Sequence, residues 1–103
     1  MSTEVKELVE GKITGKKVMV FSKTYCPFCT KAKNALANYN LGDDIDIMEI
    51  EDNPLMDQIQ DYLKSITGGR SVPRVFIKGK FIGGGSETEA FHKNGELKKM
   101  LDQ

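Results

Sequence analysis

The sequence predicts an α/β fold with one mixed four-stranded sheet flanked by helices. Apolar runs rich in β-forming residues alternate with stretches whose apolar residues recur at helical spacing. The first half has the order strand, helix, strand, which favours two parallel strands joined by a crossover, and the later Gly turn favours an antiparallel hairpin. We therefore expect the order α-β-α-β-α-β-β-α in a single domain over residues 1–103.

The first three elements are predicted from residues 5–36. Residues 5–13 have apolar side chains at helical spacing, and Gly15 ends this helix. Residues 18–21 form a compact apolar run that is typical of a buried strand. A second helix is expected after Cys26, because Pro27 suits the first helical position, where its missing N–H costs nothing. Its apolar stripe is Ala32, Ala35, Leu36 and Tyr39.

Residues 45–50 form the second predicted strand, and a third helix is expected to start at Asn53-Pro54. Gly68 should end that helix, since glycine accepts the left-handed conformation of a helix C-terminus. The apolar stripe of this helix is Leu55, Ile59, Tyr62, Leu63 and Ile66.

The last elements are a hairpin and a divided helix. Two short apolar runs, 75–77 and 81–82, flank a Gly-containing turn and predict the hairpin. Ser86 and Glu89 have the spacing of a capping box, so we expect the last helix to begin at Ser86. Gly95 is expected to divide this helical region.

Charge is balanced overall but uneven along the chain. Residues 1–40 contain 7 basic and 3 acidic side chains, residues 41–62 contain 8 acidic and no basic ones, and residues 63–103 contain 8 basic and 4 acidic ones. The net charge of zero argues against nucleic-acid binding, which usually needs a strongly basic face. We expect the acidic block, residues 41–62, to be a solvated face mostly away from any functional site.

Membrane spans and targeting segments each have a characteristic composition that can be looked for in the sequence. No apolar run approaches the ~20 residues of a membrane span. The N-terminal residues have neither the basic-then-apolar order of a signal peptide nor the Arg-rich composition of a transit peptide. We therefore expect a cytosolic protein that does not bind membranes. We also expect it to be a monomer.

Cys26 and Cys29 are the only cysteines of the chain. A structural zinc site needs four ligands, and His92 is the only other Cys or His, so no metal is expected unless carboxylates or a second chain contribute. Two cysteines that merely pack are a further alternative. However, the start of a helix after a strand is a typical place for exposed, reactive thiols.

A redox role assigns different tasks to the two thiols. The free N–H groups of the helix start favour a thiolate on Cys26, and Lys23 adds positive charge nearby. Cys29 lies one turn deeper in the predicted helix. We therefore predict that Cys26 is the attacking thiol and Cys29 the resolving one.

Three segments resemble the dithiol glutaredoxins: Lys-Thr-Tyr-Cys-Pro-Phe-Cys at 23–29, Gly-Arg-Ser-Val-Pro-Arg-Val-Phe-Ile at 69–77 and Gly-Gly-Gly-Ser-Glu at 83–87. The resemblance covers essentially the whole chain in the same order. It implies a thioredoxin-like fold, glutathione as co-substrate, and reduction of protein–glutathione mixed disulfides and small disulfides. Thioredoxin is the nearest rival, but it usually has Trp before the first cysteine, and this chain has no Trp.

The resemblance also implies residues for one end of glutathione. Lys23, Gln60 and Arg70 would meet the glycine carboxylate, although Gln60 and Arg70 also make sense as exposed polar residues without a function. Tyr25 would cover the sulfur of bound glutathione, and the alternative is a buried aromatic side chain.

For the rest of the ligand, the resemblance implies a cis Pro73 facing the cysteines, where an ordinary trans turn proline is the alternative. The Val72 backbone would then pair with the cysteinyl part of glutathione, and Ser71 replaces the usual Thr. The γ-glutamyl end is assigned to backbone and side-chain groups of Gly84, Ser86 and Glu87.

Two other functions stay open. In a [2Fe–2S] carrier, Cys26 of two chains and two glutathiones would supply the ligands, and Pro27 counts against this because it stiffens the loop. A catalytically silent interaction domain fits the fold but leaves the cysteine pair unexplained.

Overall fold

The computed structural model describes residues 2–102. Nine regular helices and strands, together with a short 3₁₀ turn at Gly42–Asp44, follow one another in the described chain. They are α1 (Thr3–Gly15), β1 (Val18–Ser22), α2 (Pro27–Leu36), β2 (Ile45–Glu49), α3 (Met56–Thr67), β3 (Arg74–Ile77), β4 (Lys80–Gly83), α4 (Gly85–Lys93) and α5 (Glu96–Asp102). The predicted element order is confirmed, with the last helical region divided in two.

The strands form one mixed sheet in the order β2-β1-β3-β4. Strand β1 is parallel to β2 and antiparallel to β3, and β3 is antiparallel to β4. This topology confirms the predicted mixed four-stranded sheet. The chain leaves β1 at the same edge of the sheet at which it enters β3, so the segments 23–26 and 69–73 meet at that edge.

Helices cover both faces of the sheet. Because side chains alternate along a strand, Met19 and Phe21 of β1 enter one apolar cluster with α1 and α3, while Val18 and Val20 enter another with α2 and α5. The two clusters fix β1 in the middle of the molecule. No helix among residues 2–102 is long and apolar enough to cross a membrane.

The turns agree with the glycine signals. Lys78 and Gly79 both have positive φ, 52° and 81°, which is the geometry of the tight hairpin turn between β3 and β4. Gly68 has a φ of 88° at the C-cap of α3, and Gly95 separates α4 from α5 with a φ of 86°. These positions were predicted because each requires a backbone conformation that glycine adopts easily.

Helix α3 begins at Met56, so the predicted start at Asn53-Pro54 is wrong. The Asn53 side chain accepts the Leu55 N–H at 2.8 Å, and the Asn53 carbonyl accepts the Met56 N–H at 3.0 Å. These bonds form a turn that precedes the helix, because asparagine readily binds the backbone two residues on. In the same helix, Ile66 was predicted to be buried and is 41% exposed.

Helix α4 begins at Gly85, so the predicted capping box of Ser86 and Glu89 is also wrong. Gly84 is the N-cap, and the Glu87 carboxylate accepts the Gly84 N–H at 2.7 Å. Glu89 forms an ion pair with Lys93 at 3.3 Å. The N-cap lies two residues earlier than the sequence pattern indicated, because Glu87 can accept the Gly84 N–H just as Glu89 could have accepted the Ser86 N–H.

Candidate active site

Cys26 is the N-cap residue of α2 and follows the loop that leaves β1. Its N–H donates to the Lys23 carbonyl at 3.2 Å, and its own carbonyl accepts the Thr30 N–H at 3.1 Å. The side chain is partly exposed, and the thiol donates to the Val72 carbonyl with a sulfur–oxygen distance of 3.7 Å. The Cys26 sulfur therefore lies where the helix start meets the segment before β3.

Cys29 lies one turn further along α2 and is fully buried. Its sulfur accepts the Lys23 N–H at 3.4 Å. Burial raises the pKa of the Cys29 thiol above the 9.0 of an unperturbed cysteine, although the Lys23 N–H opposes this shift. Both cysteines are free thiols, so the site contains one accessible sulfur and one sequestered sulfur.

The Val72–Pro73 peptide bond is cis, which confirms the conformation that the resemblance implied. Pro73 is buried and Val72 is partly exposed, immediately before β3. The Val72 carbonyl is the group that contacts the Cys26 thiol. The segment 71–73 is thus brought directly against the cysteine pair.

Arg70 is exposed, as one interpretation of the sequence expected, whereas Gln60 is not. Gln60 is only 5% exposed, and its side-chain amide donates to the Arg70 carbonyl at 2.8 Å. The Arg70 guanidinium forms ion pairs with Asp61 at 3.3 Å and Asp57 at 3.9 Å. Gln60 therefore holds the segment that leads into Val72.

The acidic block, which was expected to lie mostly away from the site, reaches it with three of its eight carboxylates. Asp57 and Asp61 pair with Arg70, and Glu51 accepts the Thr24 N–H at 3.1 Å as well as the Thr24 hydroxyl. The Thr24 hydroxyl lowers the pKa of the Glu51 carboxyl. Glu51 thereby holds the loop that contains Lys23, Thr24 and Tyr25.

Two aromatic side chains flank the partly exposed Cys26. Tyr25 is 70% exposed and Phe28 is 52% exposed, so the alternative of a buried Tyr25 is wrong. The Lys31 ammonium lies 5.3 Å from the centre of the Phe28 ring. These rings give the surface around the nucleophile an apolar character.

An open cleft of about 320 Å³ adjoins the cysteines. Three chain segments line it, and their residues are Phe28, Ser71, Val72, Pro73, Arg74, Gly84, Gly85, Ser86 and Glu87. The segments are close: a Cβ at Gly84 would lie 3.3 Å from the Pro73 oxygen, and one at Gly85 would lie 2.3 Å from the Phe28 oxygen. The structure therefore brings together the residues expected at the cysteinyl and γ-glutamyl ends of a ligand.

The residues expected at the glycine end lie outside that lining. Lys23 and Tyr25 are on the loop that leads to Cys26, and Gln60 and Arg70 are at the segment before Ser71. The Lys23 backbone contacts Cys29, and its side chain is half-buried. None of these four residues lines the cleft, neither the three expected at the glycine carboxylate nor Tyr25, which was expected over the sulfur.

Sequence reasoning missed Glu51 and Arg74. Glu51 gave no local signal, because its partner Thr24 is 27 residues away. Arg74 did give a local signal, because a charged residue at the start of a buried strand needs a partner that offsets the cost of its desolvation. Among residues 2–102, no three His, Cys, Asp or Glu side chains cluster as a metal site would require.

An accessible thiol at a helix N-terminus, with a buried thiol one turn away and a cis proline beside them, defines a thiol–disulfide oxidoreductase site on a thioredoxin-like fold. Comparison with known proteins agrees. The glutaredoxin family model matches residues 18–82. Glutaredoxin-1 of Rhizophagus irregularis is 40% identical over 99 residues, which is 96% of each chain.

Solved structures give the same result. The oxidized glutaredoxin 2 of Chlamydomonas reinhardtii superposes with a TM-score of 0.90 at 49% identity, covering 96% of this chain and 92% of that one. A buckwheat glutaredoxin–glutathione complex has a TM-score of 0.85 at 33% identity, covering 99% of this chain and 94% of that one. The chain belongs to the glutaredoxin family. Glutaredoxins are glutathione-dependent thiol oxidoreductases, and this protein is an enzyme of that class.

Proposed function

We propose that the protein is a dithiol glutaredoxin that reduces protein–glutathione mixed disulfides and small disulfides, with glutathione as the reductant. The observation that carries the proposal is the contrast between its two thiols: Cys26 is partly exposed at the start of α2, whereas Cys29 is buried. The related buckwheat protein forms a complex with glutathione, which supports the choice of ligand.

The reaction on a mixed disulfide needs only Cys26. Its thiolate attacks the glutathione sulfur, the substrate protein leaves as a thiolate that takes up a proton, and a Cys26–glutathione disulfide forms. The thiolate of a second glutathione then attacks the glutathione sulfur of that disulfide. Oxidised glutathione leaves, and Cys26 is regenerated.

A disulfide within a substrate protein requires Cys29 as well. Cys26 attacks one sulfur of the substrate and forms a mixed disulfide with it. Cys29 then loses its proton and attacks Cys26, which releases the reduced substrate and leaves a Cys26–Cys29 disulfide for glutathione to reduce. Burial raises the pKa of the Cys29 thiol, which favours Cys26 over Cys29 as the first attacking thiol.

We assign the ligand contacts by the chemistry of glutathione. The Val72 backbone pairs with the cysteinyl residue, as a strand pairs with an added peptide. Lys23 and Arg70 attract the glycine carboxylate, with Gln60 at the same end, and Tyr25 covers the sulfur. At the γ-glutamyl end, the first N–H groups of α4 suit a carboxylate. The residues at that end are Gly84, Ser86 and Glu87, whereas Ser71 and Pro73 flank Val72 at the cysteinyl residue.

Serine substitutions of the two cysteines test this mechanism. We expect Cys26→Ser to abolish activity and Cys29→Ser to keep much of the activity on glutathionylated substrates, because only Cys26 is needed there. Activity is measured with hydroxyethyl disulfide and with a glutathionylated peptide, in the presence of glutathione. Equal loss in both variants would contradict the mechanism in which Cys26 acts alone.

Two sequence-based expectations and one alternative hypothesis stay open to test beside this proposal. Cell fractionation tests the cytosolic location, and light scattering tests the monomeric state. The iron–sulfur hypothesis involves two chains, and visible absorbance after anaerobic purification tests it. A colourless protein would contradict that hypothesis.

A further inference from the structure

Arg74, the first residue of β3, is a half-buried cation without a counter-ion. Within residues 2–102, no carboxylate forms an ion pair with its guanidinium. Its Nε is buried and has no hydrogen-bond partner, and desolvation lowers the pKa of the group. Partial burial of a charge, with one nitrogen left without a hydrogen bond, is unfavourable unless an anion approaches it.

The guanidinium is held in place by neighbours that do not neutralise it. Its terminal nitrogen donates to the Ser71 hydroxyl at 3.3 Å, and the group lies 5.1 Å from the centre of the Phe81 ring. It also packs so closely on Gly69 that a Cβ there would lie 1.9 Å from it. The position of the charge is therefore fixed beside the Ser71–Pro73 segment, and Arg74 lines the cleft together with that segment.

Glu87 lines the same cleft and carries the opposite charge. Its carboxylate accepts the Gly84 N–H, and the structure shows no direct ion pair between Glu87 and Arg74. The two charges still interact, because Glu87 favours the charged form of the guanidinium. The cleft therefore presents one cation and one anion that are near each other but not paired.

This arrangement complements an α-amino-acid head group, which carries a carboxylate and an ammonium on one carbon atom. We propose that Arg74 is a specificity-determining residue that binds the α-carboxylate of the γ-glutamyl group, while Glu87 binds its ammonium. The inference rests on the proposed function, since it concerns how the glutathione cleft selects its ligand. The first N–H groups of α4 act on the same carboxylate, and Arg74 adds a full charge to their dipoles.

Three mixed-disulfide substrates test separately how the enzyme recognises the α-carboxylate and the ammonium of the γ-glutamyl group. The first carries glutathione, and the second carries glutaryl-cysteinylglycine, which keeps the carboxylate but lacks the ammonium. The third carries 4-aminobutanoyl-cysteinylglycine, which keeps the ammonium but lacks the α-carboxylate. All three have the same thiol and the same glycine carboxylate, so they differ only at the end that Arg74 is proposed to bind.

Steady-state kinetics of Arg74→Met on these substrates give the test. We expect KM to rise about tenfold for the glutathione and glutaryl substrates, the scale of a hydrogen bond to a charged group, and to stay unchanged for the aminobutanoyl substrate. Arg74→Lys should recover part of the loss, because it keeps the charge without the planar fork. Glu87→Gln should raise KM only for the two substrates that carry the ammonium.

Lys80→Met is the matched control, because Lys80 is exposed at the start of β4 and its loss changes the net charge equally. KM does not depend on the fraction of folded enzyme, so partial misfolding of Arg74→Met would not imitate the expected pattern. An equal rise in KM for all three substrates, or no rise for any, overturns the inference. A wild-type enzyme that turns over none of them overturns the proposed function itself.

Discussion

At the scale of single residues, the sulfur atoms of Cys26 and Cys29 have different surroundings although they lie one helical turn apart. Cys26 is the N-cap of α2, is partly exposed, and donates its thiol to the Val72 carbonyl. Cys29 is enclosed and accepts the Lys23 N–H. The local sequence places both thiols at the helix start, and the packing of the loop over Cys29 makes them unequal.

Alkylation rates should reveal this difference. We expect iodoacetamide to modify Cys26 at least about tenfold faster than Cys29 in the native reduced protein, because Cys29 is buried and its pKa is raised above 9.0. Mass spectrometry of digested samples over time, at pH 7 to 9, measures both rates, and unfolded protein serves as the control in which the rates converge. Comparable rates in the native protein would contradict the assignment of the two roles.

At the scale of elements, a hydrogen bond from a tyrosine hydroxyl on α3 to a carboxylate on α1 makes the packing of these two helices sensitive to high pH. The Tyr62 hydroxyl donates to the Glu10 carboxylate at 2.5 Å. This bond, aided by desolvation, raises the pKa of Tyr62 from 10.0 to about 12. Helix α3 also carries Gln60, which holds the Arg70 carbonyl, so the position of α3 affects the segment beside Cys26.

Tyr62→Phe tests that bond. We expect it to lower the free energy of unfolding by about 1.5 kcal/mol at pH 9, the scale of a hydrogen bond to a charged group. The raised pKa means that the stabilisation is present below pH 10 and is lost as the pH rises to about 12, because the unfolded state releases the proton first. Urea denaturation of both proteins at pH 9 and at higher pH should show the difference shrinking.

Tyr25→Phe is the control for this measurement, because Tyr25 is exposed and its hydroxyl has no hydrogen-bond partner among residues 2–102. We expect its stability to match that of the wild type throughout. A difference between Tyr62→Phe and the wild type that stays constant from pH 9 to 12 would show that the bond to Glu10 does not govern the effect.

At the scale of the whole molecule, the balance of charge conceals an uneven field around the site. Arg70 forms ion pairs with Asp57 and Asp61, and Glu51 binds the loop that contains Lys23. The acidic block thus lowers the positive potential that an anionic ligand meets. The other end of that block, Asp43 and Asp44, precedes β2 and lies at the opposite edge of the sheet.

Removing the two carboxylates beside Arg70 should strengthen glutathione binding. We expect the double variant Asp57→Asn, Asp61→Asn to lower KM for glutathione about threefold at low ionic strength, the scale of exposed ion pairs. The effect should vanish near 1 M salt, where the screening length is about 3 Å. Kinetics across a salt series measure it.

The matched control changes the same amount of charge elsewhere. Asp43→Asn with Asp44→Asn should leave KM unchanged, because these residues are far from Arg70 along the sheet. An increase in KM for the Asp57, Asp61 variant would indicate instead that the two carboxylates hold Arg70 in its binding position.

Features that depend on neighbouring residues were predicted well from the sequence. The order of helices and strands follows from apolar spacing, and the turns at Gly68, Gly79 and Gly95 follow from glycine's backbone freedom. The place of Cys26 and Cys29 at the start of α2 was predicted from Pro27 and the apolar stripe that follows. The errors also have local causes: the starts of α3 and α4 moved by about one half-turn because several residues could serve as caps.

By itself, then, the sequence determined the elements, the reactive pair and, through its family resemblance, the class of ligand. Only the tertiary structure decided which charges surround that pair. Gln60 binds Arg70 ten residues away, Thr24 binds Glu51 27 residues away, and Arg74 lines the same cleft as Glu87. Such contacts depend on which chain segments meet at one edge of the sheet. Helix and strand propensities act over a few residues, so they carry no information about contacts between segments that are distant in the sequence.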